Sequence, residues 1–337
     1  MDTKKTKKIL VIRFSAIGDI VWTSPTIRIL KAQIPNAEIH FCTKYIYKEM
    51  VEANPYIDKL HFLHEKLGDL IKELKKEKFD IIIDLHKNVR TFLIRAQLRS
   101  KAYHYHKLTL RRWLFVKFKL NTMPNLHVAD RYLATVKRLG IHYDNKGLDF
   151  FIPKSQEINI QEYLPETHQH GYVAFVIGAS RFTKRLPVAR MIELCEKIDR
   201  PLVLIGGKED QVTGEKIANY FAKKIDSQVV VFNACNELSI SQSASIVKQA
   251  ETVFGQDTGL THIAAAFGKQ VFAIYGGTST LGFYPYETPH TILENNNLSC
   301  RPCSKSGKDI CPKGHFKCMQ EIDFDFELPP VRKENVQ

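Results

Sequence analysis

Short apolar runs alternate with amphipathic stretches along most of this chain, and that alternation sets the expected fold. Residues 8–13 (KILVIR) read as a strand with a fully apolar core, followed by a turn over Phe14–Gly18. A helix is expected over Asp19–Ile34, with Pro25 in its first turns, where proline is tolerated. Further strands are expected over 37–43, 57–62, 79–84 and 102–105, with helices over 44–53, 68–76, 89–98 and 129–139. Around Asp144–Glu166 the pattern gives way to polar residues with Pro153 and Pro165, which marks a linker. The alternation then resumes, with strands over 172–177, 201–205, 229–232, 252–255 and 270–275. Helices over 188–198, 209–224, 241–249 and 260–267 lie between them. Strands and helices in strict alternation with short loops predict an α/β chain with a parallel, doubly wound sheet in each half. The expected domains are 1–153 and 154–337.

At 337 residues, the chain is long enough for two separate cores. It is 44% hydrophobic and 25% charged, as soluble globular proteins are. The start of the chain resembles a secretion signal, but Arg13 and Asp19 interrupt its apolar stretch, so it reads as a first strand and a cytoplasmic location is expected. The formal net charge of +13 calls for a polyanionic partner: a nucleic acid, an anionic membrane surface or a phosphorylated substrate. No helix-turn-helix, RNA-binding or finger signature accompanies it, and the basic residues are spread over both halves, which speaks against nucleic acid. Lys107–Leu120 (KLTLRRWLFVKFKL) interleaves Trp113, Phe118 and leucines with Arg111, Arg112, Lys117 and Lys119. Such a segment suits an interfacial membrane contact, and equally a helix packed on its own domain.

In doubly wound sheets, ligands bind beyond the C-terminal ends of the strands. Asp19 and the run Asp84–Arg90 (DLHKNVR) should therefore share one rim. No G-x-G-x-x-G follows the first strand, which removes the main support for a nicotinamide-dependent dehydrogenase. In the second half, Asp257, Thr258 and Gly259 occupy a turn between a strand and a helix. Unpaired backbone N–H groups there favour an anion, and His262 lies one turn further on. Lys184 and Arg185 stand beyond another strand end, before a proline-started helix, where they can face a diphosphate. Glu209 follows Gly206-Gly207 at a third strand end, with Asp210 competing for its role. Near the C-terminus Cys300, Cys303, Cys311 and Cys318, with His315 among them, have spacing that suits a structural zinc site or a loop of reduced thiols.

Three strings carry a more specific likeness: ILVIRFSAIGDIVWTSP (Ile9–Pro25), GASRFTKRLP (Gly178–Pro187) and DTGLTHIAAAFGK (Asp257–Lys269). In this order they resemble the ADP-heptose:lipopolysaccharide heptosyltransferases, glycosyltransferase family 9, over roughly residues 8 to 320. The resemblance implies a GT-B architecture of two Rossmann-like domains facing a cleft. It implies an inverting transferase that needs no catalytic cofactor, with ADP-heptose as donor and a lipopolysaccharide core glycolipid as acceptor. Asp19 would be the catalytic base. Lys184, Arg185, Glu209, Asp257, Thr258, Gly259 and His262 would hold the donor, and Lys87 and Arg90 the acceptor. The enzyme would work at the inner face of the cytoplasmic membrane. Leu186 stands where many members have tryptophan, which bears on the sugar's identity. The alternatives are a transferase of this fold using another nucleotide sugar, a basic nucleic-acid-binding protein, or a nucleotide-binding module without catalysis.

Overall fold

The computed structural model describes residues 6–224 and 228–330. The chain divides into two compact units, residues 1–109 with 124–153 and residues 110–123 with 154–337.

In the first unit, β1 (Lys7–Ile12) leads through a turn into α1 (Ile17–Val21) and α2 (Ser24–Gln33). The single helix expected over 19–34 is thus two, with Pro25 in the first turn of the second. Proline has no N–H to donate, and its ring collides with the carbonyl four residues back, so it starts a helix more readily than it continues one. β2 (Ala37–Lys44) and β3 (Lys59–Leu63) are joined by a short 3₁₀ stretch, Tyr45–Met50, in place of the helix expected over 44–53. Then come α3 (Leu67–Glu77), β4 (Ile81–Asp84), α4 (Val89–Leu98) and β5 (Lys101–His104). α3 buries Leu70, Ile71 and Leu74 and carries Lys75 and Lys76 in its last turn, where the helix dipole favours cations. α5 (Thr109–Phe118) belongs with the second unit, and α6 (Val128–Val136) returns to the first. The sheet order is β3-β2-β1-β4-β5, all pairs parallel. Ile9, Leu10, Val11 and Ile12 are fully buried, as strands covered on both faces must be.

The second unit opens with two short helices in the polar stretch, α7 (Ile160–Tyr163) and α8 (Glu166–Gln169). β6 (Val173–Val176), α9 (Val188–Ile198), β7 (Leu202–Ile205), α10 (Gln211–Ala222) and β8 (Val231–Asn233) follow. α11 (Ile240–Gln249), β9 (Thr252–Gln256), α12 (Gly259–Ala266) and β10 (Gln270–Tyr275) complete the alternation. β11 (His290–Glu294) and the last short helix, α13 (Lys317–Gln320), lie beyond the elements that the sequence pattern predicts. β11 is an edge strand with mixed burial, so it lacks the apolar run that announces the central strands. The order is β11-β10-β9-β6-β7-β8, again parallel throughout.

Both sheets are therefore doubly wound. Each reverses direction once, between β1 and β4 in the first unit and between β6 and β9 in the second. At such a reversal the connections leave to opposite sides and open a crevice beyond the strand ends. Asp19, Lys87 and Arg90 follow β1 and β4, and Lys184, Arg185 and Asp257–His262 follow β6 and β9, whereas Glu209 follows β7 and the four cysteines lie beyond β11.

Candidate active site

In the first unit Ile12 of β1 lies beside Asp84 of β4, so the turns after both strands meet on one edge. Arg13, only 6% exposed, reaches across it. Its Nη2 lies 2.6 Å from Asp19 Oδ1, and its Nη1 donates to Leu85 O (2.6 Å) and to Tyr132 Oη (2.7 Å). Tyr132 Oη in turn donates to Asp19 Oδ1 at 3.4 Å, and the Ala16 N–H donates to Asp19 Oδ2 at 3.3 Å. The carboxylate is thus oriented by three groups, while 30% of the side chain stays open to solvent. A carboxylate oxygen has more than one acceptor direction, so this one can still take a hydroxyl proton.

Asp84 is fully buried and holds the neighbouring turn by accepting from the His86 and Lys87 N–H groups. Burial, then the Arg13 and Lys107 charges, push the His86 imidazole down to about 3, so it stays neutral here. Lys87 is half-buried in this turn, and Arg90 is exposed at the start of α4. Arg13 and Tyr132 were not singled out from the sequence. Their contact joins positions 119 residues apart, which no local pattern announces.

In the second unit Lys184, on the turn after β6, meets Asp257, on the turn after β9. Lys184 Nζ lies 2.7 Å from Asp257 Oδ2 and also donates to Asp257 O at 3.2 Å. Thr278 Oγ1 donates to Asp257 Oδ2 at 2.8 Å. Burial alone would push the Asp257 carboxyl up. The Lys184 ammonium overrides this, helped by His262 and Thr278, and holds it below the usual carboxylate range. Thr258 is the N-cap of α12, but its side chain makes no capping hydrogen bond, and Gly259 begins the helix. The unpaired N–H groups of the first turn therefore stand beside a lysine ammonium, a pairing suited to phosphate. His262 is buried within the same helix.

Arg185 Nη2 pairs with Glu209 Oε2 at 2.6 Å, and Glu209 projects from the rim with 77% of its side chain exposed. Asp210 does different work. It is buried, accepts from the Gly207 N–H at 3.0 Å, and fills the space a side chain on Gly178 or Gly206 would need. Glu209 is thus the acidic residue open to a ligand, and Asp210 holds the turn. Gln256, fully buried, accepts from the Leu186 N–H at 2.9 Å and donates to Ile177 O, tying β9 to the segment that carries Lys184.

The cysteine-rich segment braces that same segment. Thr183 N donates to Lys308 O (3.0 Å), the Lys308 N–H donates to Thr183 Oγ1 (2.7 Å), and Cys303 N donates to Gly277 O (3.0 Å). Cys300 Sγ lies 3.9 Å from His315 Nε2, and burial pushes the Cys318 thiol up to about 11.

The family model for glycosyltransferase family 9 (heptosyltransferase) matches residues 67–313. The chain belongs to glycosyltransferase family 9. It is a glycosyltransferase. Among relatives, it is 24% identical to lipopolysaccharide heptosyltransferase 1 of Campylobacter coli, over 80% of this chain and 84% of that one. Among solved structures, the family 9 glycosyltransferase of Veillonella parvula has a TM-score of 0.70 at 21% identity, with 86% of each chain covered. The E. coli ADP-heptose lps heptosyltransferase II has a TM-score of 0.67 at 18% identity, covering 93% of this chain and 98% of that one. These structures share the fold expected from the sequence.

Proposed function

We propose that this family 9 enzyme transfers a heptosyl group from ADP-heptose to a sugar of the lipopolysaccharide inner core, with inversion at the anomeric carbon. The observation that carries this reading is the meeting of Lys184 with the Asp257-Thr258-Gly259 turn at the β6/β9 reversal. The names of the relatives, lipopolysaccharide heptosyltransferase 1 and ADP-heptose lps heptosyltransferase II, support the sugar and the acceptor.

In this mechanism the donor diphosphate lies against Lys184 and the first turn of α12, with Arg185, Glu209 and His262 completing the donor side. Asp19 takes the proton of the acceptor hydroxyl, whose oxygen forms the new bond to the anomeric carbon. The bond from that carbon to the diphosphate breaks, and ADP leaves with the electron pair. Lys184 offsets the charge that collects on the leaving group. Lys87 and Arg90 stand on the Asp19 side, suited to the acidic groups of a core glycolipid. No step draws on a cofactor. Among the described residues Cys300, Cys303, Cys311 and Cys318 do not gather as a group of metal ligands, so the structural zinc expected from their spacing is not part of this proposal.

Thermal stabilisation tests the donor. ADP-heptose at 100 times its dissociation constant should add about 2.7 kcal/mol to stability. A UDP- or GDP-sugar that stabilises instead would replace ADP-heptose as the donor.

A lipid-anchored acceptor has to be met at a membrane surface. α5 has no buried residue, and Leu110, Trp113, Phe118 and Leu120 are exposed. Arg112 lies over the Phe283 ring and donates to Lys305 O at 2.7 Å. Lys119 donates to Cys300 O (2.9 Å) and Pro302 O (2.7 Å). Those two residues fasten α5 to its own unit, while Arg111, which also donates to Thr122 O at 3.4 Å, and Lys117 are exposed beside the apolar residues and suit an anionic surface. Among the described residues, no helix is long and apolar enough to cross a membrane. Replacing Arg111 and Lys117 with Gln should weaken sedimentation with anionic liposomes, at roughly 1 kcal/mol per charge and less at high salt. Transfer to a delipidated acceptor should change little. Equal liposome binding by the variant would confine α5 to packing.

A further inference from the structure

On the α3 side of the first sheet lies a polar cluster that the transfer reaction does not use. His40 on β2 and His61 on β3 are both fully buried, and His40 Nδ1 lies 2.8 Å from His61 Nε2. The outer nitrogen of each ring meets a carboxylate: His40 Nε2 lies 2.7 Å from Glu38 Oε1, and His61 Nδ1 contacts Glu73 Oε1. The line Glu38–His40–His61–Glu73 thus has three contacts, and each needs a hydrogen. Ionised carboxylates bring none, and two neutral imidazoles bring two. If both outer nitrogens donate to their carboxylates, the two inner ones face each other as bare lone pairs. The gap between them then calls for a positive centre.

Three further observations describe that centre. Glu77 supplies a carboxylate oxygen within 4.8 Å of a nitrogen of each ring, the grouping of three potential metal ligands found among the described residues. Glu77 Oε2 lies 2.8 Å from Lys8 Nζ, and its Oε1 meets Lys59 Nζ. Three carboxylates (Glu38, Glu73, Glu77) therefore face two ammonium groups (Lys8, Lys59), which leaves one negative charge uncompensated in this cluster. Finally, an imidazole whose far N–H is held by a carboxylate is the form in which histidine binds a metal, because the carboxylate fixes the tautomer and turns the lone pair inward.

We propose that His40, His61 and Glu77 form a binding site for a divalent transition-metal ion of the zinc type, with Glu38 and Glu73 orienting the two rings. Imidazole and carboxylate donors suit zinc and its neighbours more than magnesium or calcium. Zinc–nitrogen bonds of about 2.0–2.1 Å in tetrahedral geometry separate two ligand nitrogens by roughly 3.3 Å. The inner nitrogens would have to part by only about half an ångström to reach that spacing. The ion would enter past Glu73 and Glu38, whose side chains are 50% and 31% exposed. Once bound, it would clip the edge strand β3 to β2 and α3.

The test uses the full chain with Ser in place of Cys300, Cys303, Cys311 and Cys318, so that thiols take up no metal. After chelation and dialysis this protein is titrated calorimetrically with Zn²⁺ alone. The expected result is saturable uptake of one equivalent, absent from the His40→Gln/His61→Gln variant. Glu73→Gln keeps both ligand rings and changes a half-exposed side chain, so it serves if the double variant does not fold. Loss of an orienting carboxylate should weaken Zn²⁺ binding about 10–100-fold. The proposal is overturned if the four-Ser protein takes up no zinc, or if Glu73→Gln binds it as tightly as its parent. Absence of uptake together with a strongly low-field ring-proton NMR signal would show that a shared proton occupies the gap.

Discussion

Asp19→Asn should reduce transfer by about 10²–10⁴-fold, the usual worth of a positioned general base. Asparagine keeps an oxygen where Arg13 Nη2 and Tyr132 Oη meet Asp19, so α1 and the turn before it should hold their geometry. ADP binds on the other unit in this reading, so its affinity by calorimetry should not change. The discriminating measurement is single-turnover transfer with donor at saturation, set beside the melting temperature of the variant. A variant that transfers at the wild-type rate would reduce Asp19 to an ion-pair partner for Arg13 and a support for the first turn of α1.

Lys184→Ala should weaken ADP and donor binding by about 1.5–3 kcal/mol, the range for a hydrogen bond to a charged group. It also leaves Asp257 without its ammonium partner, and that sets a pH signature. In the wild type the Asp257 carboxyl is held below its ordinary range, so its contribution to stability is present above the unfolded-state value, near 3.9, and is lost as pH falls through the lower folded value. In Lys184→Ala burial acts with less opposition and the carboxyl rises, so the stability that Asp257 contributes above the unfolded-state value shrinks or turns into a cost, and acidification should destabilise the variant less than it destabilises the wild type. Adding Asp257→Asn removes the stranded charge, so Lys184→Ala/Asp257→Asn should recover stability without recovering ADP affinity. If instead calorimetry finds ADP affinity unchanged in Lys184→Ala, the phosphates bind elsewhere.

The sheets were legible because their strands are buried on both faces and therefore read as unbroken apolar runs, as in β4 and β10. The candidate sites were legible as far as they are local. Asp257-Thr258-Gly259 sits in one turn, and its string announces a helix start. Partners brought in from afar leave no such mark. Arg13 in isolation is a charge at the end of a strand, and it gains a role only through Tyr132 and Asp19. Gln256 looks like one more strand residue until the fold sets it against Leu186 and Ile177. Glu209 and Asp210 are adjacent acids after a glycine pair. Only the close approach of Gly178 and Gly206 to Asp210 tells which of them is tied into the turn.

The bracing of Thr183 by Lys308 also fixes an order of events during synthesis. The two residues are 125 positions apart, and at translation rates of roughly 5–20 residues per second the first waits about 6–25 s for the second. β6 and β9 can pair well before that. The nascent chain therefore has its parallel sheet in place while the segment bearing Lys184 still lacks its outer clasp. A chain that stops short of Lys308 lacks that clasp, and it lacks as well Phe316, Cys318, Met319, Ile322 and Phe324, which are buried in the core around β6, β7 and β9.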